Sequence, residues 1–367
     1  MSRHGGLVED PATGSKAPQE TRARLSGYLL FVVVWAVALV AAMTLAVSLG
    51  PVSIPPGTVW RVVGGHLTGL DVPYSWTEVQ DSIVWVIRSP RVVLSALVGA
   101  GLGVVGVVMQ ALVRNPLADP YLLGISSGAG LGAVLVIVAG VSFGGIASVS
   151  AGAFVGALGT FVLVYAMARR GGTMAPLRLI LAGVAVGYVM SGLTSWVVLS
   201  AEQNELRAAL FWLAGSLAGA DWEDLGLPAA VVVIGLVVLM GWARQLNGLV
   251  MGDETAASLG IEVERMRRRL FVLSSLVVAV LVALSGGIGF VGLVVPHAVR
   301  LMVGTDHRRV LVGSALVGAT FLVVVDLACR TVVAPGELPV GVLTSIVGGP
   351  AFLWLMHGMG QRGRTAL

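Results

Sequence analysis

Apolar runs of about 20 residues recur along almost the whole chain, each long enough to cross a hydrocarbon core of roughly 30 Å. That pattern forbids a water-soluble fold. Composition agrees, because hydrophobic residues make up 56% of the 367 residues and charged residues only 11%, whereas ordinary globular domains carry roughly a quarter charged residues. The chain reads as an all-α polytopic membrane protein.

Ten spans are expected, at about 25–49, 92–113, 121–141, 147–168, 177–199, 225–243, 270–284, 290–303, 310–328 and 340–359. The first run is too long and starts too late for a signal-peptide core, so it reads as a retained span. Residues 1–24 are polar and expected to form a disordered cytoplasmic tail. The ten-helix transmembrane domain then covers 25–360, and 361–367 forms a second cytoplasmic tail. Segment 290–303 is short and carries Pro296 mid-run, which marks it as kinked or re-entrant.

Charge sets the orientation. With the N-terminus inside and ten alternating spans, all but five of the 23 basic residues fall inside; the exceptions are Arg61, Arg88, Arg91, Arg207 and Arg330. Arg265–Arg269 and Arg308–Arg309 can share a side only if two crossings separate them. Both 270–284 and 290–303 are therefore needed, and both termini lie in the cytoplasm.

Several activities are excluded. Lys16, the lone lysine, sits in Gly14-Ser15-Lys16-Ala17, which is no phosphate-binding loop, so no P-loop nucleotide site lies in this chain. The single cysteine, Cys329, allows neither an internal disulfide nor a thiolate metal cluster. Arginines scattered between spans make no nucleic-acid face. Gly101-Leu-Gly-Val-Val-Gly106 matches a dinucleotide fingerprint but lies mid-span with no strand before it. Gly124-Ile-Ser126-Ser-Gly128 matches a nucleophile elbow without the strand, His or Asp that it needs. None of the five histidines forms a zinc-protease pair, and His297 reads as structural. No catalytic, cofactor or metal site is expected.

Asp326 is the carboxylate deepest inside a span, four residues before Arg330, the spacing of a helical ion pair. A structural partner of Arg330 is the preferred reading over a proton carrier. An ion-coupled secondary transporter would show more intramembrane carboxylates or paired broken helices. Glycine pairs Gly99/Gly103, Gly128/Gly132 and Gly152/Gly156 read as sites of close helix packing.

Three polar stretches stand apart from packing. One, 114–128, joins the second and third spans and holds Asn115 at the cytoplasmic mouth. Another, 245–260, is a cytoplasmic connection with helical character broken by glycines, and Asp253-Glu254 suits a helix start. It fits docking to a soluble partner. The third is the outward basic set Arg88, Arg91 and Arg330, which suits an acidic partner outside, with lipid headgroup anchoring as the alternative.

With these stretches the chain resembles the FecCD-type permeases, the membrane subunits of type II ABC importers for ferric siderophores, haem and vitamin B12. The resemblance covers about residues 25–360. It rests on Arg88-Ser-Pro-Arg91, Met109-Gln-Ala-Leu-Val-Arg-Asn-Pro-Leu-Ala-Asp-Pro120 and Gly124-Ile-Ser-Ser-Gly-Ala129. Met251-Gly-Asp-Glu-Thr-Ala-Ala-Ser-Leu-Gly260, Gly289-Phe-Val-Gly-Leu-Val-Val-Pro-His297, Thr305-Asp-His-Arg308 and Glu337-Leu-Pro-Val-Gly341 add to it.

The resemblance implies a type II importer permease in a bacterial inner membrane, paired with a second permease as a homo- or heterodimer. Two cytoplasmic ATPase subunits, which carry ATP and Mg, and an extracytoplasmic binding protein complete the assembly. Arg88, Arg91 and Arg330 would receive acidic residues of the binding protein. Asp253, Glu254, Ala256, Leu259 and Gly260 would sit in coupling helices on the ATPase. Asn115 and Leu117 would form one cytoplasmic gate element, and Thr173 and Met174, in Gly171-Gly-Thr-Met-Ala-Pro176, the other. The expected cargo is an iron chelate, foremost a ferric siderophore, with haem and cobalamin as alternatives.

Overall fold

The computed structural model describes residues 16–69, 76–140, 146–170, 173–334 and 336–364. Each of the ten expected spans contains a helix. These are α1 (Lys16–Ser48), α4 (Ser89–Val113), α5 (Ile125–Ala139), α6 (Ile146–Ala168) and α7 (Pro176–Leu199). The second half supplies α9 (Gly226–Gly241), α12 (Val263–Ser285), α13 (Val291–Val303), α14 (His307–Thr331) and α15 (Val340–Arg364). Among the described residues, seven helices are long and apolar enough to cross a membrane, and α5, α13 and Val340–Trp354 are shorter apolar helices.

Shorter elements connect them: α2 (Pro56–Thr68), α3 (Glu78–Asp81), α8 (Gln203–Leu213), α10 (Ala243–Val250) and α11 (Asp253–Ser258). A two-residue antiparallel ladder, β1 (Arg169–Arg170) with β2 (Thr173–Met174), joins α6 to α7. Helix α1 starts at Lys16, inside the segment 1–24 expected to be disordered, and α15 runs on to Arg364, into the expected tail 361–367. Residues 1–15, 171–172 and 365–367 lie outside the described residues.

Helix α4 is the axis of the bundle. It is apolar all round and buried on nearly every side, packed against α12, α13 and α14. Contact at that density requires missing side chains. A Cβ on Gly99 would fall on the carbonyl oxygen of Gly318, one on Gly106 on that of Gly292, and one on Gly103 would lie 2.5 Å from that of Ser314. The pairs Gly128/Gly156 and Gly132/Gly152 bring α5 and α6 together in the same way.

Two irregularities shape the ends. Pro90 lies in the first turn of α4, yet the helix continues without a break from α3 because Ser82–Arg88 winds as a π-helix. The wider turn takes up the proline ring, and the Ser89 hydroxyl donates to Val84 O at 2.7 Å. At the other irregularity, Gly286–Phe290 separates α12 from α13, with Phe290 in the left-handed region at φ +67°. Helix α13 spans only about 20 Å at 1.5 Å per residue. Proline is accommodated inside it at Pro296.

Candidate functional site

Arg88 and Arg114 flank α4, so they mark opposite ends of the bundle, about 40 Å apart at helical rise. The Arg88 end is the one that charge asymmetry assigns to the outside. There the structure corrects the expectation of an exposed basic cluster: Arg88, Arg91 and Arg330 are all buried, at 6–7% exposure. Arg88 donates to Val47 O and Val52 O, both at 2.7 Å, and Arg330 donates to Ala46 O at 3.0 Å. These carbonyls lie at the C-terminus of α1 and just beyond, the negative end of its dipole. Asp326 accepts from Arg91 Nε at 2.9 Å and from Arg330 Nε at 3.1 Å. Glu337, 38% exposed, covers the outer side of Arg91 at 2.9 Å. The sequence shows the arginines but not the chain ends that fold over them.

At the opposite end, α10 and α11 occupy the expected docking stretch. Gly252 turns the chain between them at φ +110°, a conformation open to glycine alone at little cost, and Gly260 closes the unit at φ +77°. Ala256 is fully buried, while Glu254 and Leu259 face out, Leu259 at 63%. Two of the expected ATPase-facing residues do not simply face out: Ala256 is buried, and the Asp253 carboxylate is engaged within the chain. Oδ1 lies 2.6 Å from Arg267 and 3.3 Å from Arg114.

The first helix of the unit has its own anchor. Asn247 Nδ2 donates to Asp306 at 3.0 Å, and Asn247 Oδ1 accepts the His307 N–H at 3.0 Å. Burial pushes the Asp306 carboxyl up. The Asn247 hydrogen bond, the Arg308 N–H and the charges of Arg309 and Arg308 outweigh it and hold the group below the usual carboxylate range.

The two expected gate elements stand on different connections. Arg114 ends α4 in the left-handed conformation, φ +55°, and Asn115 follows it. Asn115 Oδ1 accepts the Leu117 N–H at 2.9 Å, which fixes the proline-bounded turn and leaves Asn115 exposed and Leu117 half-buried. On the α6–α7 hairpin, Thr173 pairs with Arg170 and Met174 with Arg169. The Met174 side chain is buried, and its N–H donates to Glu264 Oε2 at 2.7 Å.

Leu117 also belongs to a feature that sequence reasoning missed. With Asp119, Tyr121, Phe290, Leu293 and Phe352 it lines an open cavity of about 430 Å³. Asp119 caps a 3-10 turn by accepting the Tyr121 N–H at 2.8 Å, and burial pushes its carboxyl up to about 6. The Ile288 N–H donates to Tyr121 Oη at 2.8 Å, tying this turn to the α12–α13 break. The signal was present in Asp119-Pro120-Tyr121 and Gly286-Gly287-Ile288-Gly289, but only the fold brings the two together.

The family model described as the FecCD transport family matches residues 38–358. The chain is 44% identical over 280 residues to the cobalamin import system permease protein BtuC of Halobacterium salinarum, covering 76% of this chain and 74% of that protein. It is 43% identical over 287 residues to the hemin transport system permease protein HmuU of Yersinia pestis, covering 76% and 85%. A solved inward-facing structure of a metal-chelate type ABC transporter superposes with a TM-score of 0.77 at 30% identity, covering 89% of this chain and 98% of the other.

Proposed function

Because this chain belongs to the FecCD transport family, we propose that it is the translocation path for an iron chelate, foremost a ferric siderophore. That it is a multi-pass membrane permease of the type II ABC importer kind follows from the family and the apolar helices. The proposal adds the cargo and the partners: a second permease, two ATPase subunits carrying ATP and Mg, and a binding protein outside.

The single observation that carries the reading is the pairing of a docking unit and a cavity at the same end of the bundle. The docking unit carries an exposed apolar residue, Leu259, and a cavity walled by Leu117, Tyr121, Phe290, Leu293 and Phe352 opens beside the gate turn. Such a cavity suits a bulky cargo already wrapped by its own ligand. The chain supplies the path and the levers, and ATP binding on the partner supplies the free energy that separates inward-facing from outward-facing states. Both termini lie in the cytoplasm in this arrangement.

At the outer end, docking of the binding protein on the Arg88, Arg91 and Arg330 cluster proceeds by exchange at Arg91, with Arg88 and Arg330 holding the carbonyls at the end of α1. A carboxylate of the partner displaces the half-exposed Glu337 from Arg91, while Asp326 stays in place. A second reading, with cobalamin or haem as cargo, is favoured by the two relatives at 44% and 43% identity.

The test is reconstitution in liposomes with the ATPase and the binding protein, presenting ferric siderophores, hemin and cyanocobalamin in turn. ATP-dependent uptake of a ferric siderophore is the expected result. Uptake of hemin or cyanocobalamin alone moves the cargo to the second reading, and uptake without any ATPase overturns both.

A further inference from the structure

Asp253 is the first residue of α11, and its carboxylate touches two arginines that lead to different places. Arg114, 3.3 Å away, ends α4 and immediately precedes the Asn115–Leu117 turn. Arg267, 2.6 Å away and only 5% exposed, also faces Glu264 at 3.6 Å, one helical turn earlier on α12. Glu264 in turn accepts the Met174 N–H at 2.7 Å. A chain of charge-assisted contacts therefore runs from the docking unit to the α6–α7 hairpin, and a second, shorter one runs to the α4–α5 turn.

We propose that Asp253 is the hub through which α11 positions both gate elements, through Arg114 the Leu117 turn and through Arg267 and Glu264 the Met174 hairpin. The inference rests on the reading of those elements as gates and assigns the residues that tie them to the docking unit. None of the four touches cargo, so all are positioning residues.

The geometry favours a lever over a surface contact. Arg267 is buried, so it cannot follow Asp253 by swinging its side chain freely, whereas Arg114 is 35% exposed and gives the looser branch. The Arg267–Asp253 and Met174–Glu264 links, at 2.6 and 2.7 Å, are charge-assisted hydrogen bonds, stiff and directional; Arg267–Glu264 at 3.6 Å and Arg114–Asp253 at 3.3 Å are ion pairs. A shift of α11 imposed by the ATPase therefore moves the backbone at Met174, where Glu264 grips the N–H itself. The two branches also have different lengths, so they can be cut separately.

The experiment uses the complete complex of this chain with its ATPase in nanodiscs, with single reporters Leu117→Cys or Met174→Cys. Maleimide labelling rates are compared without nucleotide and with ATP plus vanadate; the native Cys329 is buried and contributes little. In the parent complex each reporter is expected to change by tenfold or more. Asp253→Asn should reduce both responses to less than twofold. Glu264→Gln should silence the 174 reporter and spare the 117 reporter, and Arg114→Gln should do the reverse.

Wild-type responses of both reporters in Asp253→Asn would overturn the proposal. So would loss of both reporters in Glu264→Gln, which would indicate general damage in place of a branch. A parent complex that hydrolyses ATP while neither reporter responds would remove the gate reading and the relay with it. That outcome is separate from failure of the relay alone.

Discussion

The guanidinium of Arg91 closes on the carboxylate of Asp326, 235 residues away in the chain, with Nε 2.9 Å from Oδ1. Asp326 is fully buried and also holds Arg330, so one carboxylate bridges two buried cations, and Glu337 on Arg91 supplies the second negative charge. Removing one partner of a buried ion pair leaves uncompensated charge and costs about 3–5 kcal/mol. Asp326→Ala should therefore lower the unfolding temperature in detergent sharply, and Asp326→Asn less, since the amide oxygen still accepts one hydrogen bond. Equal, small effects from both would show that the cluster is solvated.

Glu337 should behave in the opposite sense. If it competes with the binding protein for Arg91, Glu337→Gln frees that guanidinium and tightens docking by up to about tenfold, an effect of about 1.4 kcal/mol. Titration of the binding protein onto the reconstituted permease reads this directly. Weaker docking in Glu337→Gln would mean that the carboxylate supports the outer face and does not guard it.

Glycine substitutions separate contact from composition. Gly106→Ala puts a methyl group on the Gly292 carbonyl and should cost at least 1–3 kcal/mol, the usual penalty of overpacking. Gly159→Ala in α6 meets nothing within 4 Å and should stabilise by about 0.5–1 kcal/mol. Thermal unfolding of the two variants side by side is the check.

Asp119 gives a pH signature. Its carboxyl is raised from 3.8 to about 6 in the folded chain, so folding favours the protonated form. The contribution is fully present below about 4 and is lost as pH rises through about 6. Asp119→Asn keeps an oxygen for the Tyr121 N–H and removes the titration. The variant should match the parent near pH 4 and melt higher than the parent at pH 7; parallel melting curves would contradict this.

On the docking unit, Leu259 is the residue to test, because it is exposed and apolar while Asp253 is engaged within the chain. Leu259→Asp should strip the ATPase from the purified permease. Glu254→Lys should weaken assembly by no more than about 1 kcal/mol, as exposed charges do. ATPase recovered at full stoichiometry with Leu259→Asp would move the docking surface elsewhere.

Apolar periodicity and the placement of arginine marked segments that each contain a helix, seven of the described helices being long and apolar enough to cross a membrane, because an apolar span leaves a strong one-dimensional signal. The same signal was silent on α2, α8 and the π-helical turn at Ser82–Arg88, which are neither long apolar runs nor polar loops. The Asp326–Arg330 pair was legible because its partners lie four residues apart. The Arg91–Asp326 contact was not, since nothing in the chain marks which of its scarce carboxylates will meet which arginine. For the same reason Arg88 and Arg91 read as exposed: an outward arginine in sequence shows no sign of the α1 carbonyls that fold over it. Asp253 looked like a docking charge, and only its distance to Arg267 reveals an inward task.

The glycine contacts have a mechanical consequence. Where backbones touch without intervening side chains, as at Gly99/Gly318, Gly106/Gly292 and Gly132/Gly152, sliding by even one ångström drives atoms into overlap. The α4–α13–α14 and α5–α6 groups are in that sense welded plates. The Gly286–Phe290 strip that joins α12 to α13 is packed in the same way, since a Cβ on Gly286 would fall on the Trp212 carbonyl oxygen and one on Gly341 on that of Gly287; the Tyr121 hydroxyl accepts the Ile288 N–H there. The strip is therefore as closely packed as the plates, and no sliding along these glycine lines is open unless the helices first part.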